Sequence, residues 1–76
     1  MNHVLIRKNI GEYCKCFRIN ELNLTQFDVA KQLGYSKENI SSFENGRNDN
    51  VVIFLWYVNK GLFNHIDINL MGEWFA

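Results

Sequence analysis

The chain has 76 residues, 47% of them hydrophobic, and its eight basic side chains balance eight acidic ones, so its formal net charge is zero. This length holds a single domain over residues 1–76, and the apolar content excludes a disordered chain. The zero net charge counts against a nucleic-acid binder, because neutralising phosphates normally takes an excess of lysine and arginine.

A first helix is predicted from about Leu5 to Asn20, followed by a connection to Asn23. Apolar side chains recur there at the three- and four-residue spacing of one helix face. They are Ile6, Ile10, Tyr13 or Cys14, and Phe17.

Two short helix patterns follow, and each begins at a residue type that caps helix N-termini. Thr25 precedes the first pattern, with Asp28 completing a capping-box-like start, and Ser36 precedes the second. Gly34 is expected in the left-handed conformation after the first helix, and Gly46 ends the second. A short turn therefore joins the two helices. Their predicted buried side chains are Val29, Ala30, Leu33, Ile40 and Phe43.

The eight consecutive apolar residues from Val51 to Val58 suit two structures. Local rules favour a buried strand, because the run is rich in β-branched and aromatic residues. No partner strand is evident elsewhere, so we predict a fourth helix from about Asn50 to Gly61. Residues 66–75 suggest a short fifth helix. The predicted fold class is all-α, a compact bundle of four to five helices.

The segment from Leu24 to Arg47 carries the most informative pattern. Its key residues are Leu24-Thr25-Gln26, Val29-Ala30, Leu33-Gly34, Ser36, Ile40-Ser41, Phe43-Glu44 and Asn45-Gly46-Arg47. They resemble the helix-turn-helix proteins of the phage Cro and repressor type, the Xre-like family. The resemblance implies a lambda-repressor-like bundle whose second and third helices form the helix-turn-helix. It also implies that Arg18 pairs with Glu44, although this chain has one more residue than many relatives between Arg18 and Thr25.

The function implied by the resemblance is regulation of transcription on double-stranded operator DNA. The helix over residues 36–45 would lie in the major groove, and a homodimer would bind two half-sites. The implied base contacts are Lys37, Glu38 and Ser42, with Asn39 and Ser41 as neighbours. The implied phosphate contacts are Thr25, Gln26, Ser36, Asn45 and Arg47. A plain solvated helix face is the alternative interpretation of Lys37, Glu38 and Ser42.

The aromatic residues after Asn50 suggest a surface for association. A helix over Val51–Val58 is apolar on all sides, which is more than one inward face requires. Another chain or the C-terminal segment must cover the excess, unless core packing absorbs it. Helix four with residues 62–76 is therefore the candidate association surface. Its residues are Phe54, Trp56, Tyr57, Phe63, Trp74 and Phe75.

Neither enzyme activity nor a cofactor is expected. Cys14 and Cys16 are too few for a disulfide scaffold, and with His3 and His65 isolated they make no closed set of metal ligands. The thiols are interpreted as reduced, in a cytoplasmic protein. No signal-peptide pattern is visible, and the longest apolar run is far below the ~20 residues that cross a bilayer.

A second function belongs to a different class. The chain could be a protein-binding modulator, an antirepressor on a helix-turn-helix scaffold that captures a co-encoded repressor. Its zero net charge, the acidic Glu38 at the start of the recognition helix and the surplus of aromatic residues favour this alternative.

Overall fold

A computed structural model describes the backbone of residues 3–64 and the side chains of residues 6–63. All regular structure in that part of the chain is helical, so the all-α prediction is confirmed there. The elements are α1 (His3–Phe17), a π turn (Arg18–Leu22), α2 (Gln26–Leu33), α3 (Lys37–Glu44), α4 (Val51–Asn59) and a 3-10 turn (Leu62–Asn64). The predicted fifth helix and the association residues Trp74 and Phe75 lie outside the described residues.

The predicted N-caps set the starts of α2 and α3. Thr25 Oγ1 accepts a hydrogen bond from the backbone N–H of Asp28 at 3.1 Å, and Asp28 Oδ2 accepts one from the N–H of Thr25 at 2.9 Å. This capping box satisfies two N–H groups that have no partner within the helix. The backbone and then the side chain of Thr25 hold the pKa of Asp28 below its ordinary value. Ser36 Oγ accepts from the N–H of Asn39 at 3.3 Å.

The turn between α2 and α3 depends on Gly34. Its φ of 73° is left-handed, a conformation that glycine adopts without steric cost, and the N–H of Tyr35 closes the turn on the carbonyl of Ala30 at 2.9 Å. Only Tyr35 and Ser36 follow before α3 begins. Two eight-residue helices are therefore held close together by a minimal connection.

The π turn changes the end of the predicted first helix. A π turn closes each hydrogen bond over five residues rather than four, so it takes up one more residue than an α-helical turn. It ends at Asn23, whose φ of 53° is left-handed, and the N–H of Leu24 bonds to the carbonyl of Arg18 at 3.1 Å. The π turn thus accommodates one more residue between Arg18 and Thr25 than an α-helical turn would.

The core receives side chains from every α-helix of the described region. Its buried members are Cys14, Phe17, Val29, Ala30, Ile40, Phe43, Ile53, Tyr57 and Leu62. The Tyr57 ring lies at the centre of this core, 6.4 Å from the ring centroids of both Phe17 and Phe43. The assignment of Tyr57 to an exposed association surface was therefore wrong. Its face of α4 is the inward one, and its exposed fraction is 0%.

Helices α1 and α3 approach closely at Gly11. A Cβ atom at this position would lie 2.4 Å from the carbonyl oxygen of Glu44 and 2.6 Å from that of Phe43. Only hydrogen fits there, because the neighbouring atoms belong to backbone. Gly11 thus fixes the distance between α1 and the C-terminal end of α3.

The apolar fourth helix is short. It spans nine residues and is capped by Asn50, whose Oδ1 accepts from the N–H groups of Val52 and Ile53. No helix within residues 3–64 has the length and apolar character needed to cross a membrane.

Candidate functional site

A buried ion pair ties the π turn to α3. Arg18 Nε donates to Glu44 Oε2 at 2.8 Å, and Arg18 Nη2 donates to Glu44 Oε1 at 3.0 Å, so the pair is bidentate. The pairing that the resemblance implied is present. A third donor, Arg18 Nη1, bonds to the carbonyl of Leu24 at 2.8 Å. The hydrogen bond to Glu44 raises the pKa of Arg18.

Two more donors complete the coordination of the Glu44 carboxylate. Gln26 Nε2 donates to Oε1 at 3.0 Å, and the Tyr57 hydroxyl donates to Oε2 at 3.0 Å. A carboxylate has room for about four such donors, so the buried Glu44 is fully satisfied. The π turn, α2, α3 and α4 therefore meet on one side chain.

The N-termini of α2 and α3 border one shallow depression of the surface, about 510 Å³ in volume. Thr25 and Gln26, which were predicted to contact phosphate, line it together with Lys37, which was predicted to contact bases. Gln26 uses only one of its two amide N–H groups on Glu44 and is half-buried. Its remaining amide atoms are oriented by that bond.

One side of α3 is buried and the other faces outward. Ile40, Phe43 and Glu44 are buried in the interior. Five predicted base contacts occupy the rest of the helix: Lys37, Glu38 and Asn39 are exposed, and Ser41 and Ser42 are half-buried. The helix therefore presents short polar and charged side chains at its N-terminal end.

The remaining predicted phosphate contacts do not form one group. Ser36 is exposed at the start of α3, whereas Asn45 and Arg47 are exposed beyond its C-terminal end. Asn45 lines a separate cleft with Lys8 and Asn9 of α1, and its Nδ2 donates to Ser41 Oγ at 3.4 Å. The predicted set is thus divided between the two ends of α3.

Sequence reasoning missed the apolar rim of the depression. Phe27 is 63% exposed and Ile19 is 47% exposed, and both border the depression beside Thr25 and Lys37. Phe27 is an apolar residue of α2 for which the sequence analysis predicted no surface role. The exposure of Phe27 follows from the orientation of α2 relative to α3, which the sequence does not show.

The apolar residues of α4 divide between core and surface. Phe54 and Trp56 are half-buried, and Phe63 is exposed with its ring centroid 6.0 Å from that of Phe54. The exposed apolar side chains of α4 are Val51, Val52 and Leu55, none of which was predicted as an association residue. We call Val51, Val52 and Leu55 the α4 apolar stripe.

No protein-family model, curated protein or solved structure matches the chain. Among the described residues, no three histidine, cysteine, aspartate or glutamate side chains come together as metal ligands. A function for the chain is therefore argued from the placement and chemistry of its own residues.

Proposed function

We propose that the chain is a sequence-specific DNA-binding regulator of transcription, of the Cro or repressor type. The observation that carries the proposal is the common depression of Thr25, Gln26 and Lys37. It puts candidate phosphate contacts of α2 beside the exposed N-terminal end of α3. Helices α2 and α3 would form a helix-turn-helix in a lambda-repressor-like domain, acting in the cytoplasm where DNA is accessible.

In this proposal α3 lies in the major groove, which is wide enough for an α-helix. Lys37 donates to guanine or to a phosphate, Glu38 accepts from cytosine N4, and Ser42 bonds to a base edge. Each good base contact contributes about 1–3 kcal/mol of discrimination. Gln26 and the backbone amides at the start of α2 bind phosphate oxygens and fix the register of the domain on the duplex.

The hydrogen bonds of Arg18, Gln26 and Tyr57 to the buried Glu44 carboxylate support this role, because they fix α2 relative to α3. Gln26 at the start of α2 and Glu44 at the end of α3 share a hydrogen bond of 3.0 Å. Arg18 and Tyr57 hold the same carboxylate from two further elements. Phosphate and base contacts therefore keep a constant spacing, which sequence reading requires.

A homodimer would bring two copies of α3 to successive half-sites of an operator. The α4 apolar stripe is the proposed dimer contact, because Val51, Val52 and Leu55 lie outward on one short helix. Zero net charge predicts modest affinity that depends on a few well-placed contacts.

A selection from random duplexes followed by gel shifts across salt concentrations tests the proposal. We expect one enriched sequence, bound with an affinity that falls steeply as salt rises. Lys37→Ala should weaken binding by roughly 5- to 150-fold, the equivalent of about 1–3 kcal/mol. Lys15→Ala is the matched control, since it removes the same charge from an exposed site on α1. Arg47→Ala should reduce the salt dependence. Failure to enrich any duplex would overturn the proposal.

The exposed Phe27 and Ile19 favour a second candidate function. They make the same depression partly apolar, which suits a protein partner better than a phosphate backbone. The chain would then be an antirepressor that captures a repressor encoded beside it. This alternative predicts a stoichiometric complex with that repressor, lost in Phe27→Ala, and no enriched duplex.

A further inference from the structure

Asn23 follows the π turn in a backbone conformation that favours glycine. Its φ of 53° is left-handed, and the other left-handed positions among the described residues are the glycines Gly34, Gly46 and Gly61. Glycine adopts this conformation freely, whereas any residue with a Cβ atom meets a steric cost there. The side chain of Asn23 therefore needs a physical reason that glycine would not supply.

The hydrogen bonds of the turn do not give that reason. Asparagine is tolerated in the left-handed conformation because its amide can bond to nearby backbone. The Asn23 amide makes no such bond to another described residue. The turn is closed by backbone atoms instead, since the N–H groups of Asn23 and Leu24 both donate to the carbonyl of Arg18. Glycine would make the same bonds, so the turn does not use the amide of Asn23.

The position of Asn23 supplies a reason. Asn23 is exposed and lines the same depression as Thr25, Gln26 and Lys37. Arg18 borders this depression too, but its three guanidinium nitrogens donate to Glu44 and to the carbonyl of Leu24. Asn23 thus adds two amide N–H donors, free of bonds to the described residues, to the place where candidate phosphate contacts meet.

We propose that Asn23 is a further DNA contact, whose Nδ2 donates a hydrogen bond to a phosphate oxygen of the bound duplex. This inference rests on the proposed DNA-binding function and adds the π turn to the elements that hold the domain on the DNA backbone. The amide is neutral, so its bond releases no counterion from the duplex. Its contribution to affinity is therefore independent of salt, unlike that of a lysine or an arginine.

Asn23→Gly tests this role without disturbing the turn, because glycine keeps the left-handed backbone and loses only the amide. Its melting temperature should be at least that of the parent chain. Its affinity for the duplex that the parent chain enriches should fall about three- to tenfold, as for one neutral hydrogen bond, with an unchanged salt dependence. Asn20→Ala is the matched control, since it removes the same amide from an exposed site of the π turn outside the depression.

A methylphosphonate scan of the same duplex locates the contact. Each methylphosphonate replaces one charged phosphate oxygen by a methyl group and weakens an interaction with that phosphate. At one position the parent chain and Asn23→Gly should bind with equal affinity, because the hydrogen bond is already lost. At phosphates elsewhere in the duplex the three- to tenfold difference should persist.

The outcomes separate this inference from the function on which it rests. Equal affinity of the parent chain and Asn23→Gly for the unmodified duplex would overturn the inference alone. An equal loss in Asn20→Ala, a lower melting temperature of Asn23→Gly, or a difference that persists at every methylphosphonate would do the same. If the parent chain enriches no duplex, the proposed function fails and the inference fails with it.

Discussion

The hydroxyl of Tyr57 donates a hydrogen bond to Glu44 Oε2 at 3.0 Å, while the Tyr57 ring packs among the apolar side chains of the core. This bond joins α4 to the carboxylate that already holds Arg18 and Gln26. The last helix of the described domain is therefore connected to both helices of the proposed DNA-binding unit. Burial and the nearby Glu44 charge raise the pKa of Tyr57, so the hydroxyl stays a donor throughout the neutral pH range.

Removing that hydroxyl should destabilise the fold measurably. Tyr57→Phe keeps the ring that packs between Phe17 and Phe43 but takes one donor from a buried carboxylate. We expect the free energy of unfolding to fall by about 2 kcal/mol, as for other hydrogen bonds to charged groups. Urea denaturation measures it. Tyr35→Phe, at a half-buried tyrosine, is the control and should change stability by less than about 0.5 kcal/mol. Equal effects of the two substitutions would contradict the prediction.

Substitution by alanine should reduce the stability of the fold more at Gly11 than at Gly34. Gly11→Ala places a Cβ against the backbone carbonyls of Glu44 and Phe43, so α1 must move away from α3. We expect a loss of about 3 kcal/mol, at the upper end of typical overpacking costs. Gly34→Ala meets no atom within 4 Å but must keep a φ of 73°. Its cost should be only about 1 kcal/mol. A thermal melt of each variant measures the difference, and a larger effect at Gly34 would refute the explanation.

The fold should lose stability at alkaline pH. Burial, and then the charge of Glu44, raises the pKa of Cys14 from 9.0 to about 12. Below pH 9 the Cys14 thiol is protonated in both the folded and the unfolded chain, so it does not change the free energy of unfolding with pH. Between pH 9 and 12 only the unfolded chain releases the proton, and stability falls by up to about 1.4 kcal/mol per pH unit. Tyr57 adds to the loss at higher pH, because its pKa is raised as well.

Denaturation in urea from pH 8 to 11, with a reductant present, measures this dependence. Cys14→Ala should be less stable at neutral pH, because it leaves a small cavity, but its stability should fall less steeply above pH 9. Cys16→Ala removes an exposed thiol and should keep the parent slope. Identical slopes in all three proteins would show that Cys14 ionises normally in the folded chain.

The α4 apolar stripe should control self-association. Leu55 is 55% exposed, so Leu55→Glu should leave the core intact while placing a charge in the proposed dimer contact. We expect the dimer to weaken by roughly tenfold or more. Light scattering across protein concentrations measures this. Phe27→Glu alters an equally exposed apolar residue on α2 and should leave the dimer unchanged. A parent chain that stays monomeric at high concentration would contradict the prediction.

Local chemistry was sufficient to predict the helix starts and the central turn. Thr25 and Ser36 cap helices because their side-chain oxygens reach the free N–H groups, and Gly34 tolerates a left-handed φ. Val29 and Ile40 are fully buried as predicted, since helical spacing puts them on facing sides of α2 and α3. These features depend on neighbours along the chain, which a sequence displays directly.

Features that depend on distant segments were not predictable in the same way. Every residue from Val51 to Val58 is apolar, so helical spacing could not show that Tyr57 faces inward and Leu55 outward. That choice is made by the packing of α4 on Phe17 and Phe43. The close approach at Gly11 was missed for the same reason.

The π turn at Arg18–Leu22 holds one more residue than an α-helical turn in the first connection of the domain. With this wider turn, Arg18 reaches Glu44 and Thr25 caps α2. The number of residues between Arg18 and Thr25 therefore does not by itself decide whether the arginine reaches Glu44, because the type of helical turn between them matters as well.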